Sequence, residues 1–134
     1  MALSLGLPFV VGYAVGGTWQ RGVEAMVWGG LLRIFLYQHA TFSVNSICHM
    51  FGRRDYRTRD EARNNWLVAL LVFGEGWHNN HHAFPASARH GLRRWQLDVS
   101  WWVIRGLEKL RLVWDVKRPG PDQLARRQLQ PEGG

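Results

Sequence analysis

The segment GEGWHNNHH, residues 74–82, is the most informative part of this chain, because it places three histidines within five positions. His78, His81 and His82 stand at i, i+3 and i+4, a spacing that puts all three side chains on one face of a helix. Neutral imidazole is the usual nitrogen ligand of transition metals. Three charged imidazoles would repel one another, and three buried ones would waste hydrogen bonds. The spacing therefore favours a metal site over a solvated or buried histidine face.

The residues around these histidines narrow the class of metal site. A zinc protease of the HExxH type carries a glutamate between its histidines as general base, whereas Asn79 and Asn80 stand here. The single cysteine, Cys48, excludes an internal disulfide and a zinc finger with two cysteine ligands. A haem with two histidine ligands stays open, although such ligands are rarely adjacent in sequence.

The 134-residue chain has a net charge of +7 and eight tryptophans, and its charges are unevenly distributed. Residues 1–20 contain no Asp, Glu, Lys or Arg, and residues 25–51 form a second, longer apolar segment. A bilayer crossing needs about 20 residues, so the second segment is long enough and the first is slightly short. We expect residues 1–51 to form two transmembrane helices. These segments argue against the nucleic-acid partner that net charge alone suggests.

The residues after position 51 predict a helical cytoplasmic cap over residues 52–118. Residues 52–65 hold five arginines, against one basic residue in the polar turn 18–24, so the positive-inside rule places them in the cytoplasm. Residues 97–114 have apolar positions at helical spacing, which predicts an amphipathic helix packed on a domain or resting at the membrane surface. The polar, Pro/Gly-rich residues 119–134 predict a disordered tail. The expected fold is an all-α, multi-pass membrane helical bundle with this cap.

A second pair of ligand candidates precedes the arginine-rich segment. Asn45 and His49, in NSICH, are four residues apart and share a helical face near the cytoplasmic end of the second apolar segment. In isolation, this pair fits helix packing equally well. With both sets of ligand groups at one membrane surface, a single polynuclear site is favoured over two separate ones.

Four motifs together resemble the C-terminal part of membrane-bound fatty acyl desaturases, over roughly residues 1–118. They are NSICHMFGRRDY (45–56), GEGWHNNHHAFP (74–85), RRWQLDVS (93–100) and WDVKRP (114–119). The nearest likeness is to the acyl-CoA delta-9, stearoyl-CoA desaturase-like group in its bacterial form. The resemblance implies the second half of a four-transmembrane-helix enzyme of unsaturated fatty acid biosynthesis. Such an enzyme uses O2 and two electrons to introduce a cis double bond, here expected at delta-9, into a fatty acyl chain.

The resemblance also implies a centre of two iron ions whose ligands are mostly histidines. Its matching residues are His78, His81 and His82 in one histidine box, His49 as a further ligand, and Asn45, which reaches one iron through water. The active site is expected to face the cytoplasm.

The resemblance further implies a tunnel for the acyl chain. Thr41 matches a residue at the tunnel bend, and Phe42 stands where the family often has tryptophan. Arg93 and Arg94 are candidates for contacts with the phosphates of an acyl-CoA headgroup, or they belong to an ordinary positive-inside patch. Glu75 is a candidate to orient a ligand histidine from outside the coordination sphere, or to cap a helix.

The expected partners are a fatty acyl-CoA or acyl lipid, O2, membrane lipids, and an electron donor such as cytochrome b5 or a ferredoxin or flavin reductase. The family's first two histidine boxes, HxxxxH and HxxHH, have no counterpart outside residues 78–82. We therefore expect a C-terminal fragment that is inactive alone. A related membrane di-iron hydroxylase and a non-catalytic, degenerate membrane fragment are the alternatives.

Overall fold

Helices make up nearly all the regular structure of the computed structural model, which describes residues 1–129. The helices are α1 (Ala2–Gly16), α2 (Trp19–Met26), a π-helical segment (Val27–Leu32), α3 (Arg33–Met50), α4 (Trp66–Leu71), α5 (His78–Ala83), α6 (Val99–Lys109) and α7 (Pro121–Arg127). Within the described residues, β-structure is limited to isolated bridges, so the helical fold class is confirmed. The chain divides into two compact units, Met1–Thr41 and a second unit that begins at Phe42, with the boundary inside α3.

In the first unit, the chain reverses direction between α1 and α2. Gly17 ends α1 with a φ of 68°, a conformation that glycine adopts without strain. The Thr18 hydroxyl then accepts a hydrogen bond from the first turn of α2, and this cap starts the helix at Trp19. The polar turn is therefore shorter than the expected 18–24. Gly12 lets the two helices approach, because a Cβ there would lie 2.4 Å from the Cβ of Ala25.

The π-helical segment and α3 continue the helical backbone from α2 to Met50. Gly29 and Gly30 lie within the π-helical segment, where glycine permits the altered hydrogen-bond pattern. None of the helices in residues 1–129 has the length and apolar character that a membrane crossing requires.

In the second unit, the end of α3 packs against α4 through a small apolar core. Val44, Cys48 and Val68 are buried in this core, and Cys48 is fully buried. Cys48 is therefore a core residue of the second unit. Because His49 follows Cys48 directly, the core anchors the last turn of α3, from which His49 projects.

Gly76 allows the chain that leads into α5 to lie directly against α4. A Cβ at Gly76 would lie only 2.1 Å from the backbone nitrogen of Ala69. The Gly76 carbonyl accepts a hydrogen bond from the backbone N–H of Asn65 at 2.8 Å. The next residue, Trp77, is buried and donates its indole N–H to the Leu97 carbonyl at 2.7 Å. These contacts set where the first turn of α5 begins.

Helix α7 lies in the segment for which a disordered tail was expected. Proline at the first helical position favours helix initiation there. The backbone N–H of Arg57 donates to the Arg127 carbonyl at 2.8 Å, and that of Leu129 donates to the Asp55 carbonyl at 3.0 Å. These backbone hydrogen bonds, which composition does not reveal, hold the segment in place. The remainder of the expected tail, residues 130–134, lies outside the described residues.

Candidate metal centre

Three histidines from two helices converge in the second unit. His49 comes from the last turn of α3, and His78 and His82 come from α5; one ring nitrogen of each lies within 4.8 Å of the others. The Nε2 atoms of His49 and His78 are 3.1 Å apart. Metal–nitrogen bonds of about 2.1 Å place neighbouring ligand nitrogens about 3.0–3.4 Å apart. The three imidazoles, called the histidine cluster below, therefore have the donor chemistry and the spacing of a metal site.

Within the histidine cluster, His78 is in the protonation state that metal binding needs. Burial, together with the neighbouring rings of His82, His49 and His81, lowers the pKa of His78 to about 4. Burial also lowers the pKa of His81, with contributions from His90 and His82. A lowered pKa keeps an imidazole neutral near pH 7, and only the neutral ring has a lone pair free for a metal ion.

Asp60 orients one member of the histidine cluster. Its Oδ2 lies 2.5 Å from Nδ1 of His82. Burial raises the pKa of Asp60, but hydrogen bonds from the Ala62 N–H and from His82 outweigh this and lower the pKa overall. A carboxylate on Nδ1 selects the tautomer whose Nε2 is free to bind a metal. Asp60 was not predicted from the sequence, because an acidic residue among arginines is most simply explained as a surface ion-pair partner.

His81 lies apart from the histidine cluster. Its ring centroid is 4.6 Å from that of His90, and its Nδ1 is buried with no hydrogen-bond partner among the described residues. Glu75 places a carboxylate oxygen 3.7 Å from Nδ1 of His90, so its observed side-chain contact is with His90. Burying a ring nitrogen without a partner costs free energy, so Nδ1 of His81 is a candidate to bind a metal ion or another group.

The other predicted residues of the second apolar segment follow one another along α3. Asn45 lies one turn before His49 and has an exposed side chain. The Thr41 hydroxyl donates to the Tyr37 carbonyl at 3.0 Å, and the side chain of Phe42 is 63% exposed. The water-mediated ligand role of Asn45 and the tunnel-lining roles of Thr41 and Phe42 stay predictions.

Arg93 is part of a buried polar network around Asp55. The Asp55 side chain is buried, with 3% of the residue exposed. Its Oδ1 accepts a hydrogen bond from Arg93 at 2.9 Å and forms an ion pair with Arg53 at 3.3 Å. Gln96 donates to the other carboxylate oxygen at 3.3 Å. Arg93 therefore has a structural role that the sequence analysis missed, while Arg94 is exposed. The headgroup contacts of both arginines stay predictions.

Asn79 attaches α5 to the arginine-rich segment. Its Oδ1 accepts the backbone N–H groups of Asp55 and Tyr56, each at 2.8 Å. Its Nδ2 donates to the Tyr56 carbonyl at 3.0 Å. Since Asn79 is fully buried, one side chain satisfies three backbone groups that have no access to water.

Asn80 attaches the same helix to the loop on its other side. Its Nδ2 donates to the His90 carbonyl at 2.7 Å and to Gln96 at 2.9 Å, and its Oδ1 accepts from Asn64 at 2.7 Å. The Asn64 side chain also accepts the backbone N–H of Asn80 at 3.1 Å. Helix α5 therefore presents histidines on one face and buried amides on another. The available signal in the sequence was the position of the asparagines between the histidines.

Comparison with known proteins gives consistent matches along the chain. A family model described as "Fatty acid desaturase" matches residues 1–114. The chain is 43% identical over 129 residues to a hex-5-enoyl-[acyl-carrier protein] acetylenase of Moorena producens (strain JHB), covering 96% of this chain and 40% of that protein. It is 50% identical over 114 residues to a chloroplastic palmitoyl-monogalactosyldiacylglycerol delta-7 desaturase of Arabidopsis thaliana, covering 85% and 29%. It is 52% identical over 98 residues to an icosanoyl-CoA 5-desaturase of Limnanthes douglasii, covering 73% and 28%. The chain thus spans well under half the length of these relatives.

Proposed function

This chain belongs to the fatty acid desaturase family, and we propose that its histidine cluster is part of the di-iron centre of a fatty acyl desaturase. The observation that carries the proposal is the convergence of His49 with His78 and His82 from a helix 29 residues later in the chain. The proposed reaction removes two hydrogens from the acyl chain and reduces O2 to water with two further electrons from a donor.

The donor set fits iron. Imidazole nitrogens bind iron without the thiolates that would favour an iron–sulfur cluster. We assign the three cluster histidines to one ion and His81, whose buried Nδ1 lacks a partner, to the other. When bound, the iron pair would activate O2, and O2 is the oxidant that an unactivated C–H bond requires.

The chain's own residues prepare the site for these ions. Asp60 holds His82 in one tautomer, and burial keeps His78 neutral. Asn79 and Asn80 hold α5 against two surrounding loops, so that the imidazoles do not have to be ordered when metal binds. Preorganisation of this kind stabilises a bound ion by removing the entropic cost of ordering its ligands.

We propose an acyl-CoA substrate and a double bond at delta-9, with Thr41 and Phe42 lining the acyl tunnel. The support is the resemblance of the NSICH and HNNHHAFP motifs to the bacterial acyl-CoA delta-9 group. The names of the three relatives specify three carriers, namely an acyl-carrier protein, a galactolipid and CoA, and they name position 5 or position 7 of the acyl chain. Electrons would come from a cytochrome b5 or a ferredoxin or flavin reductase.

We propose that the first unit lies in the membrane and that the histidine cluster faces the cytoplasm. Helix α1 has no charged residue, and none of its residues is buried. Leu3 and Val15 are 84% and 85% exposed, and so extensive an apolar surface favours lipid or an apolar partner over water. The five arginines of residues 52–65 favour the cytoplasmic side.

We further propose that this chain alone does not desaturate. The histidine cluster, His81 and Asn45 together offer fewer ligands than two iron ions require, so the remaining ligands come from residues other than these. Turnover of an acyl-CoA by the purified 134-residue chain would refute this part of the proposal.

The test of the metal centre is anaerobic titration of the purified chain, in detergent micelles, with Fe(II) and with Co(II) as a spectroscopic probe. We expect visible Co(II) bands of nitrogen coordination, and their loss in His78→Ala. The matched control is His39→Ala, which removes an exposed histidine of α3 whose Nδ1 lies 2.9 Å from the Phe35 carbonyl. Unchanged Co(II) binding by His78→Ala would overturn the proposal.

A further inference from the structure

Beyond the metal centre, the second unit has a cleft of about 660 Å³ at the end of α5. One wall is the segment 83–87, which directly follows His82. The other wall is formed by residues 117–119 and by side chains of α7. The cationic residues of this wall are Lys117, Arg118, Arg126 and Arg127. Among residues 1–129, the lining contains no carboxylate.

Most of this positive charge has no neutralising partner within residues 1–129. Arg118 pairs with Glu108 at 2.5 Å, which offsets one charge. Arg127 donates to the Ala83 carbonyl and lies 5.5 Å from the centre of the Phe84 ring, and both of these contacts are with neutral groups. Lys117 and Arg126 are exposed and form no ion pair with the described residues. The cleft therefore concentrates positive charge in a concave surface, which attracts anions.

We propose that this basic cleft binds a phosphate-bearing group. Arginine and lysine are the side chains that recognise phosphate oxygens, and the cleft is within the size range of small-molecule sites. Phe84 and Pro85 add an apolar wall that suits the non-phosphate part of a ligand. A phosphorylated acyl carrier is the ligand that the proposed function would select, whereas the anion site itself rests only on the charge and shape of the cleft.

The position of the basic cleft differs from that of the predicted headgroup arginines. Arg93 is engaged by buried Asp55, and neither Arg93 nor Arg94 lines this cleft. The backbone N–H of Ala88 donates to the Lys117 carbonyl at 3.0 Å and ties the two walls together. The cleft is therefore a separate feature of the second unit, held together by backbone hydrogen bonding.

The test is calorimetric titration of the full chain, in zwitterionic micelles, with coenzyme A and with adenosine 3′,5′-bisphosphate. We expect the double variant Lys117→Ala/Arg126→Ala to bind both probes about tenfold more weakly, because two exposed ion pairs between the protein and the phosphates of the probe are lost. The control, Arg59→Ala/Lys109→Ala, removes the same charge from exposed positions outside the cleft and should retain affinity. Added NaCl should weaken binding by the wild type.

A parallel arm distinguishes a soluble carrier from a lipid headgroup. Flotation with phosphatidylcholine vesicles, with and without phosphatidylglycerol, is measured for the same variants. Selective loss of coenzyme A binding identifies a soluble phosphorylated ligand, and selective loss of phosphatidylglycerol binding identifies a lipid phosphate. Equal binding of every phosphate ligand by the cleft variant and the control overturns the proposal. Co(II) loading of each variant, which does not depend on the cleft, separates this outcome from failure of the metal centre.

Discussion

At the Asp60–His82 contact, one residue that is not itself a proposed ligand can influence the proposed metal centre. Their 2.5 Å contact fixes the imidazole tautomer and makes its Nε2 a stronger donor. We expect Asp60→Asn to lower Co(II) affinity by about 10- to 100-fold, as loss of such partners does in other metal sites. Competition with a chelator of known affinity measures the change.

The neighbouring acidic residue supplies the control for this prediction. Glu61 pairs with Arg54 and Arg63 at the surface and contacts no histidine of the cluster. Glu61→Gln should therefore leave Co(II) affinity unchanged. If both substitutions weaken binding equally, the effect of Asp60 is a general loss of negative charge and the orienting role is wrong.

Among individual residues, those whose role depends on their spacing along a helix can be predicted from the sequence. The helical spacing of His78, His81 and His82 is visible directly, and so is the pairing of His49 with Asn45, to which the resemblance to the desaturases added a ligand role. Asp60 is 22 residues from its partner His82, and Asn79 is 24 residues from Asp55. Such pairings depend on how the loops fold back on α5. No local pattern specifies them, which is why Asp60 and the structural role of Asn79 were missed.

The packing of α5 against α4 depends on Gly76. A Cβ at this position meets the backbone of Ala69 at 2.1 Å, and backbone atoms cannot rotate away as a flexible side chain would. We expect Gly76→Ala to shift the start of α5, to lower the free energy of unfolding by about 1–3 kcal/mol, and to weaken Co(II) binding. Urea unfolding followed by tryptophan fluorescence, with Co(II) titration, measures both effects.

Gly106 provides a matched substitution within a helix. An added Cβ there meets nothing within 4 Å, so only helix propensity changes. Gly106→Ala should leave Co(II) binding intact and stabilise α6 by about 0.5–1 kcal/mol. Destabilisation of the same size by both substitutions would show that the close approach at Gly76 is not the cause.

The elements themselves were predictable to different degrees. Helices α1 and α3 follow from long apolar segments, and α6 follows from its amphipathic pattern with Asp98 as its N-cap. The start of α2 was missed because the Thr18 cap is a single side-chain contact in an otherwise polar stretch. Helix α7 was missed because composition cannot show the backbone hydrogen bonds to Arg57 and Asp55 that hold it.

For the whole molecule, bound metal should act as a crosslink between distant parts of the second unit. His49 lies in the last turn of α3, whereas His78 and His82 belong to α5, so an ion bound to all three joins both elements. An ion that binds only the folded state stabilises it by about 2.7 kcal/mol at a free concentration of about 100 times Kd. We expect Co(II) to raise the urea concentration at the midpoint of unfolding, in proportion to this stabilisation, and EDTA to reverse the change. The same rise in His78→Ala would contradict this.

Helix α5 holds two sets of residues that natural selection should treat differently. The asparagines form the hydrogen bonds that hold α5 against the surrounding loops, whereas the proposed role of the histidines is to bind the metal. In a gene copy released from catalysis, the histidine codons would drift while the asparagine codons persisted as long as a folded product was useful.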